Sequence, residues 1–142
     1  MPQVTRTIEI AARPAAVWDW FSSAERLRRW LAPDLEIDVR VGGRYRMRAA
    51  EDAGWIVGAV LEMVPEQLLA LSWMEEDAGW IHPARLTITL KPVPAGTEVS
   101  LTHDGFAGIG KSGWERIVQA YEHGVDAHDL LGKLASVAGR HG

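Results

Sequence analysis

The sequence predicts an α+β domain in which a curved antiparallel β-sheet wraps around one long C-terminal α-helix, with two short helices after the first strand. Three observations carry this expectation. Residues 35–103 alternate apolar and polar side chains with a period of two, between short clusters of turn-forming residues. From Trp114 onward, apolar residues recur every three or four positions. Between the first strand and the alternating run, Pro14 and Ser22-Ser23 open two short segments of helical spacing. A sheet bent over a single helix leaves a space that apolar side chains only partly fill, and such a space suits a small apolar molecule.

Val4 to Ala11 reads as the first strand, with Ile8 and Ile10 on one face and Glu9 on the other. Pro14 fits the first turn of a helix, where its fixed φ helps and its missing N–H costs nothing. Val17, Trp18 and Phe21 follow at helical spacing; Ser22-Ser23 then breaks the run and caps a second helix through Leu27 to Trp30, which Pro33 ends. Turns are expected at Gly42-Gly43, Asp52 to Gly54, Pro65-Glu66, Asp77 to Gly79 and Pro92 to Gly96, dividing the remainder into a meander. Leu86, Ile88 and Leu90 alternate with Thr87, Thr89 and Lys91, and Val99 and Leu101 alternate with Glu98, Ser100 and Thr102. One face of each strand is therefore covered, and His103 continues the covered row. Ser112 is expected to cap a helix from about Trp114 to Val137. Its first half carries the stripe Trp114, Ile117, Val118, Tyr121, Val125 and His128, whereas Leu130, Leu134 and Val137 fall on another. A kink or break is expected between Gly124 and Gly132.

Length and composition bound the rest. At 142 residues and 47% apolar, one core spanning residues 1–142 is expected, without a second domain. Nineteen acidic against fifteen basic residues give a net charge of -4, which argues against nucleic acid as a partner. The absence of cysteine excludes disulfides, thiolate metal sites and a cysteine nucleophile. MPQVTRTIEI is not a secretion signal and no apolar run is long enough to span a membrane, so a cytoplasmic location is expected. Seven tryptophans stand against two phenylalanines and two tyrosines; side chains of this size either fill a wide core or line an apolar cavity.

The candidates for chemistry are few. His103-Asp104 suggests a general base with an acid neighbour, but adjacent strand residues point to opposite faces, and a histidine hydrogen-bonded at the sheet edge is the simpler reading. His123 and His128 lie about 140° apart around an ideal helix, so one metal ion does not readily take both, and no metal or other cofactor is expected. Arg44, Arg46 and Arg48 form a row on one strand face, most simply solvated and paired with acids such as Glu62. Glu51-Asp52 and Glu75-Glu76-Asp77 read as turn charges. GFAGIGKSGW at 105–114 lacks the spacing of a phosphate loop and is expected to be a mobile flap over the cavity mouth.

Six segments in order, VWDWF (17–21), RRWLAP (28–33), VGGRYRMR (41–48), VLEMVPEQLLALSW (60–73), LTITLKPVPAGTEVSLTHDGF (86–106) and GWERI (113–117), carry a resemblance covering nearly the whole chain. The sequence resembles the START-like (SRPBCC, helix-grip) superfamily, in the branch similar to the activator of the ninety-kilodalton heat-shock chaperone ATPase. It departs from that branch at Gly124-Val125, where relatives often carry Gly-Trp, and at His128-Asp129-Leu130-Leu131, which shifts the leucine register of the last helix.

The resemblance implies a single helix-grip domain holding a small hydrophobic or aromatic ligand between sheet and C-terminal helix. The expected walls are Leu86, Ile88, Leu90, Val99, Leu101 and His103 facing Trp114, Val118, Tyr121, Val125 and His128, with Trp18, Phe21, Trp30, Trp55 and Trp73 around them. Two alternatives stand beside this: a cyclase- or aromatase-like enzyme using the same cavity with His103, Tyr121 or His128 as acid or base, and a chaperone- or protein-interaction module using the outer surface. Pairing into a homodimer through an edge strand is compatible with any of them.

Overall fold

The computed structural model describes residues 3–48, 54–76 and 78–139, with the backbone alone for 124–128. The turn residues expected at 51–53 and at Asp77, and the side chains of Val125 and His128, lie outside the described residues. Among the described residues seven strands form one antiparallel sheet: β1 (Val4–Ile10), β2 (Glu36–Ile37), β3 (Arg44–Arg48), β4 (Trp55–Val64), β5 (Leu68–Glu75), β6 (Ala84–Val93) and β7 (Gly96–Asp104). Their order is β1-β7-β6-β5-β4-β3-β2. Two short helices, α1 (Pro14–Trp18) and α2 (Ala24–Arg28), follow β1, and α3 (Trp114–His128) and α4 (Leu130–Ala138) follow β7. This is the α+β helix-grip arrangement.

Local chemistry explains the elements. Pro14 opens α1, and the Ser23 hydroxyl accepts from the Arg26 N–H at 3.2 Å to cap α2. The sheet register sets Leu69 opposite Ile88, Leu71 opposite Leu86, Leu90 opposite Val99 and Leu86 opposite His103. The alternating apolar rows thus share one face, and all of these residues are buried. Burying each leucine or isoleucine contributes roughly 1.5–3 kcal/mol, which fixes the register, since a slip of one residue would turn the whole row to water.

The sheet bends in β4. Its register to β5 shifts between Val60 and Glu62, the mark of a bulge. Nearby, Gly58 lets the backbones close together: a Cβ there would stand 2.1 Å from the Ser72 carbonyl oxygen. The Ser72 hydroxyl accepts from the Ala59 N–H at 2.8 Å, and the buried Tyr45 hydroxyl donates to the Ser72 carbonyl at 2.5 Å.

The C-terminal helix is two helices. Asp129 adopts a left-handed backbone (φ 48°) between α3 and α4, and its carboxylate accepts from the Gly132 N–H at 3.2 Å, capping α4. The break falls inside the interval that the change of stripe marked. α4 buries Leu131, Leu134 and Ala138 and packs against β1 and α1, whereas Trp114, Ile117, Val118 and Tyr121 of α3 are half-buried.

Three boundaries differ from expectation. Pro92 lies within β6 rather than in the turn, opposite Thr97; β5 no longer pairs with β6 there, so the missing N–H interrupts no ladder on that side. The second helix ends at Arg28, several residues before Pro33. α3 begins at Trp114, so Gly113 rather than Ser112 directly precedes it.

Candidate functional site

Strand parity brings together the groups beneath α3. On β5 the residues Leu69, Leu71, Trp73 and Glu75 point to the inner face, and on β7 Val99, Leu101 and His103 do the same. After β7 the chain turns through Gly105 (φ 84°) into a 3-10 turn, Phe106–Gly108, which drives the fully buried Phe106 under the helix. Tyr121 comes down from α3 onto these side chains.

The result is an aromatic box around an imidazole. The His103 ring lies 4.7 Å from Trp73, 4.7 Å from Phe106 and 4.9 Å from Tyr121, measured between centroids. Trp73 and His103 meet edge to face, as do Trp73 and Tyr121, a geometry that aromatic quadrupoles favour. A hydrogen-bonded relay runs along one wall: the Trp73 indole N–H donates to the Tyr121 hydroxyl at 2.9 Å, and that hydroxyl donates to the Glu75 carboxylate at 2.6 Å. Burial, then the bond to Glu75, pushes the Tyr121 hydroxyl far above its usual pKa, so it stays a neutral phenol. Burial lowers His103 from 6.5 to about 3, so its imidazole is neutral at physiological pH.

His103 is 5% exposed and its Nε2 has no hydrogen-bond partner; the indole N–H of Trp80, whose ring lies 6.3 Å from Phe106, is likewise buried and unpartnered. The sheet-edge hydrogen bonding expected of His103 is therefore absent at Nε2. Asp104 lies on the opposite face, across from Arg85, and does not orient the imidazole. Among the described residues no group of three histidine, aspartate or glutamate side chains is close enough to hold a metal ion.

Other expected residues fall into distinct places. Leu86, Ile88, Leu90, Val99 and Leu101 form the buried floor, and Trp114 and Val118 of α3 are half-buried against the hydrophobic core. Trp18, Phe21 and Trp30 form a separate aromatic group: Trp18 stacks on Phe21 at 5.0 Å, and Phe21 meets Trp30 at 5.0 Å. The Trp30 indole donates to the Trp20 carbonyl at 2.9 Å.

Trp55 does not belong to the site. It pairs with Arg48 on the outer face, where the guanidiniums of Arg46 and Arg48 lie 4.0 Å and 5.1 Å from its ring. Arg46 pairs with Glu76 at 3.2 Å, while Glu62 pairs with Arg85 instead of the arginine row. The glycine-rich segment is tied down rather than free to act as a flap. Phe106 and Ile109 are fully buried, the Ile81 and His82 N–H groups donate to the Ile109 carbonyl at 2.8 and 3.1 Å, and the Lys111 ammonium donates to the Ala78 carbonyl at 2.6 Å.

Two members of the box were missed from sequence. Glu75 has the composition of a turn charge, yet it extends the Leu69, Leu71, Trp73 alternation by one step, and that parity is the available signal. Phe106 falls in the glycine-rich segment, where a lone aromatic residue is a natural anchor.

A groove of about 770 Å³ opens on the outer face of the sheet, lined by Arg44, Arg46, Val57, Ala59, Ser72 and Met74 among others. Its charged rim is partly self-paired, Arg46 to Glu76 and Asp38 to Arg40, and the groove carries no buried polar atom without a partner. The inner box has both a polar relay and an unpartnered imidazole nitrogen, and for that reason it is the better candidate.

Comparison with known proteins agrees with the architecture. The family model described as Activator of Hsp90 ATPase homolog 1-like protein matches residues 11–126. No curated protein matches the chain. Protein MLL2253 from Mesorhizobium loti is 22% identical, with each chain covered to 97% and a TM-score of 0.79. The Aha1 dimer from Colwellia psychrerythraea is 16% identical, with 94% of each chain covered and a TM-score of 0.71. DynU16, from the dynemicin biosynthetic locus, is 20% identical over 96% of this chain and 46% of its own, with a TM-score of 0.75. At these identities the solved structures speak to the fold alone. The family match spans most of the sequence, and the chain belongs to the Activator of Hsp90 ATPase homolog 1-like family.

Proposed function

We propose that the protein binds a small hydrophobic or aromatic ligand between the inner face of the sheet and α3. The observation that carries this reading is the Trp73–Tyr121–Glu75 relay beside the neutral His103, a small set of polar atoms set in an apolar layer under a half-buried helix. Ligand sites commonly have that composition: apolar walls supply affinity and a few fixed polar groups supply orientation. The split of the C-terminal helix supports it, because α4 anchors the fold and leaves α3 with the less covered apolar stripe.

A cyclase- or aromatase-like activity is the second reading. It is favoured by the placement of an imidazole, His103, against a phenol, Tyr121, although burial leaves that imidazole a weak base at neutral pH. DynU16 stands in a biosynthetic locus, which is consistent with this reading without assigning any step to the present chain. A protein-interaction role follows from the family description alone, and homodimerisation from the Colwellia structure alone.

The test is a melting-temperature and tryptophan-fluorescence titration against aromatic, acyl and sterol-like compounds. Ligand that binds only the folded state raises the melting temperature by mass action, by about 2.7 kcal/mol of stabilisation at a hundredfold excess over Kd. A saturable rise with at least one class is expected, lost in Val118→Trp, which puts an indole in place of an isopropyl group on the half-buried side of α3. A flat response across the panel would refute ligand binding and turn attention to a protein partner.

A further inference from the structure

The unpartnered nitrogen of His103 restricts what the site takes. We propose that His103 and Tyr121 form its polar end and receive the hydroxyl group of an uncharged aromatic ligand, in preference to the matching hydrocarbon or carboxylate. The inference rests on the ligand-binding reading above and deepens it.

The hydrogen-bond inventory carries the argument. The Tyr121 oxygen has one proton and two lone pairs; the proton goes to Glu75 and one lone pair takes the Trp73 N–H. One lone pair is left, so Tyr121 offers a further partner an acceptor only. Nε2 of His103 offers the second valence, as donor or acceptor according to tautomer. A hydroxyl group both donates and accepts and so can serve the two atoms together. A hydrocarbon leaves the imidazole nitrogen unsatisfied, and a buried polar atom without a partner is costly. A carboxylate has no proton for the Tyr121 lone pair and brings a second negative charge close to Glu75.

Access is part of the same geometry. His103 and two walls of the box, Trp73 and Phe106, belong to β7, β5 and the 3-10 turn after β7, and these are pinned by the sheet ladder and the buried Phe106. Tyr121 alone comes from α3, which is half-buried and ends at the left-handed Asp129. On this proposal Tyr121 swings outward to admit the ligand and then resumes its bonds to Trp73 and Glu75, while the sheet keeps its register.

Three probes that differ only in one substituent test the proposal: 2-naphthol, naphthalene and 2-naphthoate, titrated calorimetrically near neutral pH. The wild-type protein is expected to bind 2-naphthol about tenfold more tightly than either of the others, the usual effect of one satisfied buried hydrogen bond. His103→Phe should bring naphthol and naphthalene to equal affinity, and Tyr121→Phe should reduce the ratio without abolishing binding. A naphthol-to-naphthalene ratio near one in the wild type, or a ratio unchanged in His103→Phe, would overturn the proposal while leaving ligand binding intact. Failure of all three probes to bind the wild type would overturn this proposal through the reading beneath it. Should His103→Phe not fold, the wild-type histidine ring resonances decide the matter: naphthol must shift those of His103 further than naphthalene does, and equal shifts overturn the idea.

Discussion

Lowering the pH from about 7.5 to about 5 tests the aromatic box through its buried histidine. Burial holds the His103 imidazole at a pKa of about 3 in the folded protein, against 6.5 for an ordinary histidine. Between these values the unfolded chain binds a proton that the folded chain does not. Stability therefore rises with pH through the window; the contribution is complete above about pH 6.5 and is lost as the pH falls toward about 3. The linkage costs roughly 2 kcal/mol at pH 5 and about 4 kcal/mol near pH 3. Against a typical domain stability of about 5–15 kcal/mol, this is a large share. His103→Phe removes the titration and keeps a ring in the box. Urea unfolding of both proteins at several pH values isolates the effect, because every other ionisable side chain is common to the two. The wild type should lose about 2 kcal/mol more than the variant between the two pH values. Parallel stability curves would refute the reasoning, since they would mean that His103 is solvated or paired in the folded state.

Other substitutions probe the remaining parts. Tyr121→Phe strands the Trp73 indole N–H and removes the Glu75 partner, and should cost about 1–3 kcal/mol in urea unfolding; no measurable loss would mean that water replaces the hydroxyl. Gly58→Ala drives a methyl group into the Ser72 carbonyl and should destabilise by about 1–3 kcal/mol or prevent folding, read as a lower melting temperature. Asp129→Ala removes the α4 cap while keeping the left-handed strain, and should be less stable than Asp129→Gly, which loses the cap but relieves the strain; a cap of this kind is worth about 0.5–2 kcal/mol. Trp55→Ala, on the outer face, should leave any ligand-induced melting shift unchanged, in contrast to Val118→Trp.

Much of the fold is legible because two periods dominate the sequence. The strict alternation at Leu86 to Lys91 and Glu98 to Thr102 sets both strands and their inner faces, and the observed pairing of Leu90 with Val99 and Ile88 with Leu101 follows from matching the buried rows. The change of stripe between His128 and Leu130 likewise marks the helix break, since an apolar face that jumps around a helix cannot be covered by one sheet without interruption. What could not be read is where tertiary pairing overrides a local rule. Pro92 is a turn signal by composition but is held in β6 by its partner across the hairpin, at a place where the neighbouring strand has already ended.

The candidate site was legible in Trp73, His103 and Tyr121 and not in Glu75 or Phe106, and for the strand residues the reason lies in parity. Trp55 stands in the run Trp55-Ile56-Val57, apolar at every position, so nothing local says which face it takes; only the register against Arg48 sends it outward. Glu75 is the opposite case. Its charge argues for water, but it sits two residues beyond Trp73 on the same strand, and the strand does not end until Glu75 itself. A charged residue in phase with a buried row must reach solvent at the edge or find a partner within, and the Tyr121 hydroxyl is that partner. The same argument explains why His103 is neutral: it stands in phase with Val99 and Leu101, one step short of the end of β7, where Trp73, Phe106 and Tyr121 close over it and exclude the water that would let it charge. His103 and Glu75 are thus ordinary strand-end residues whose phase, rather than their type, carries them inside.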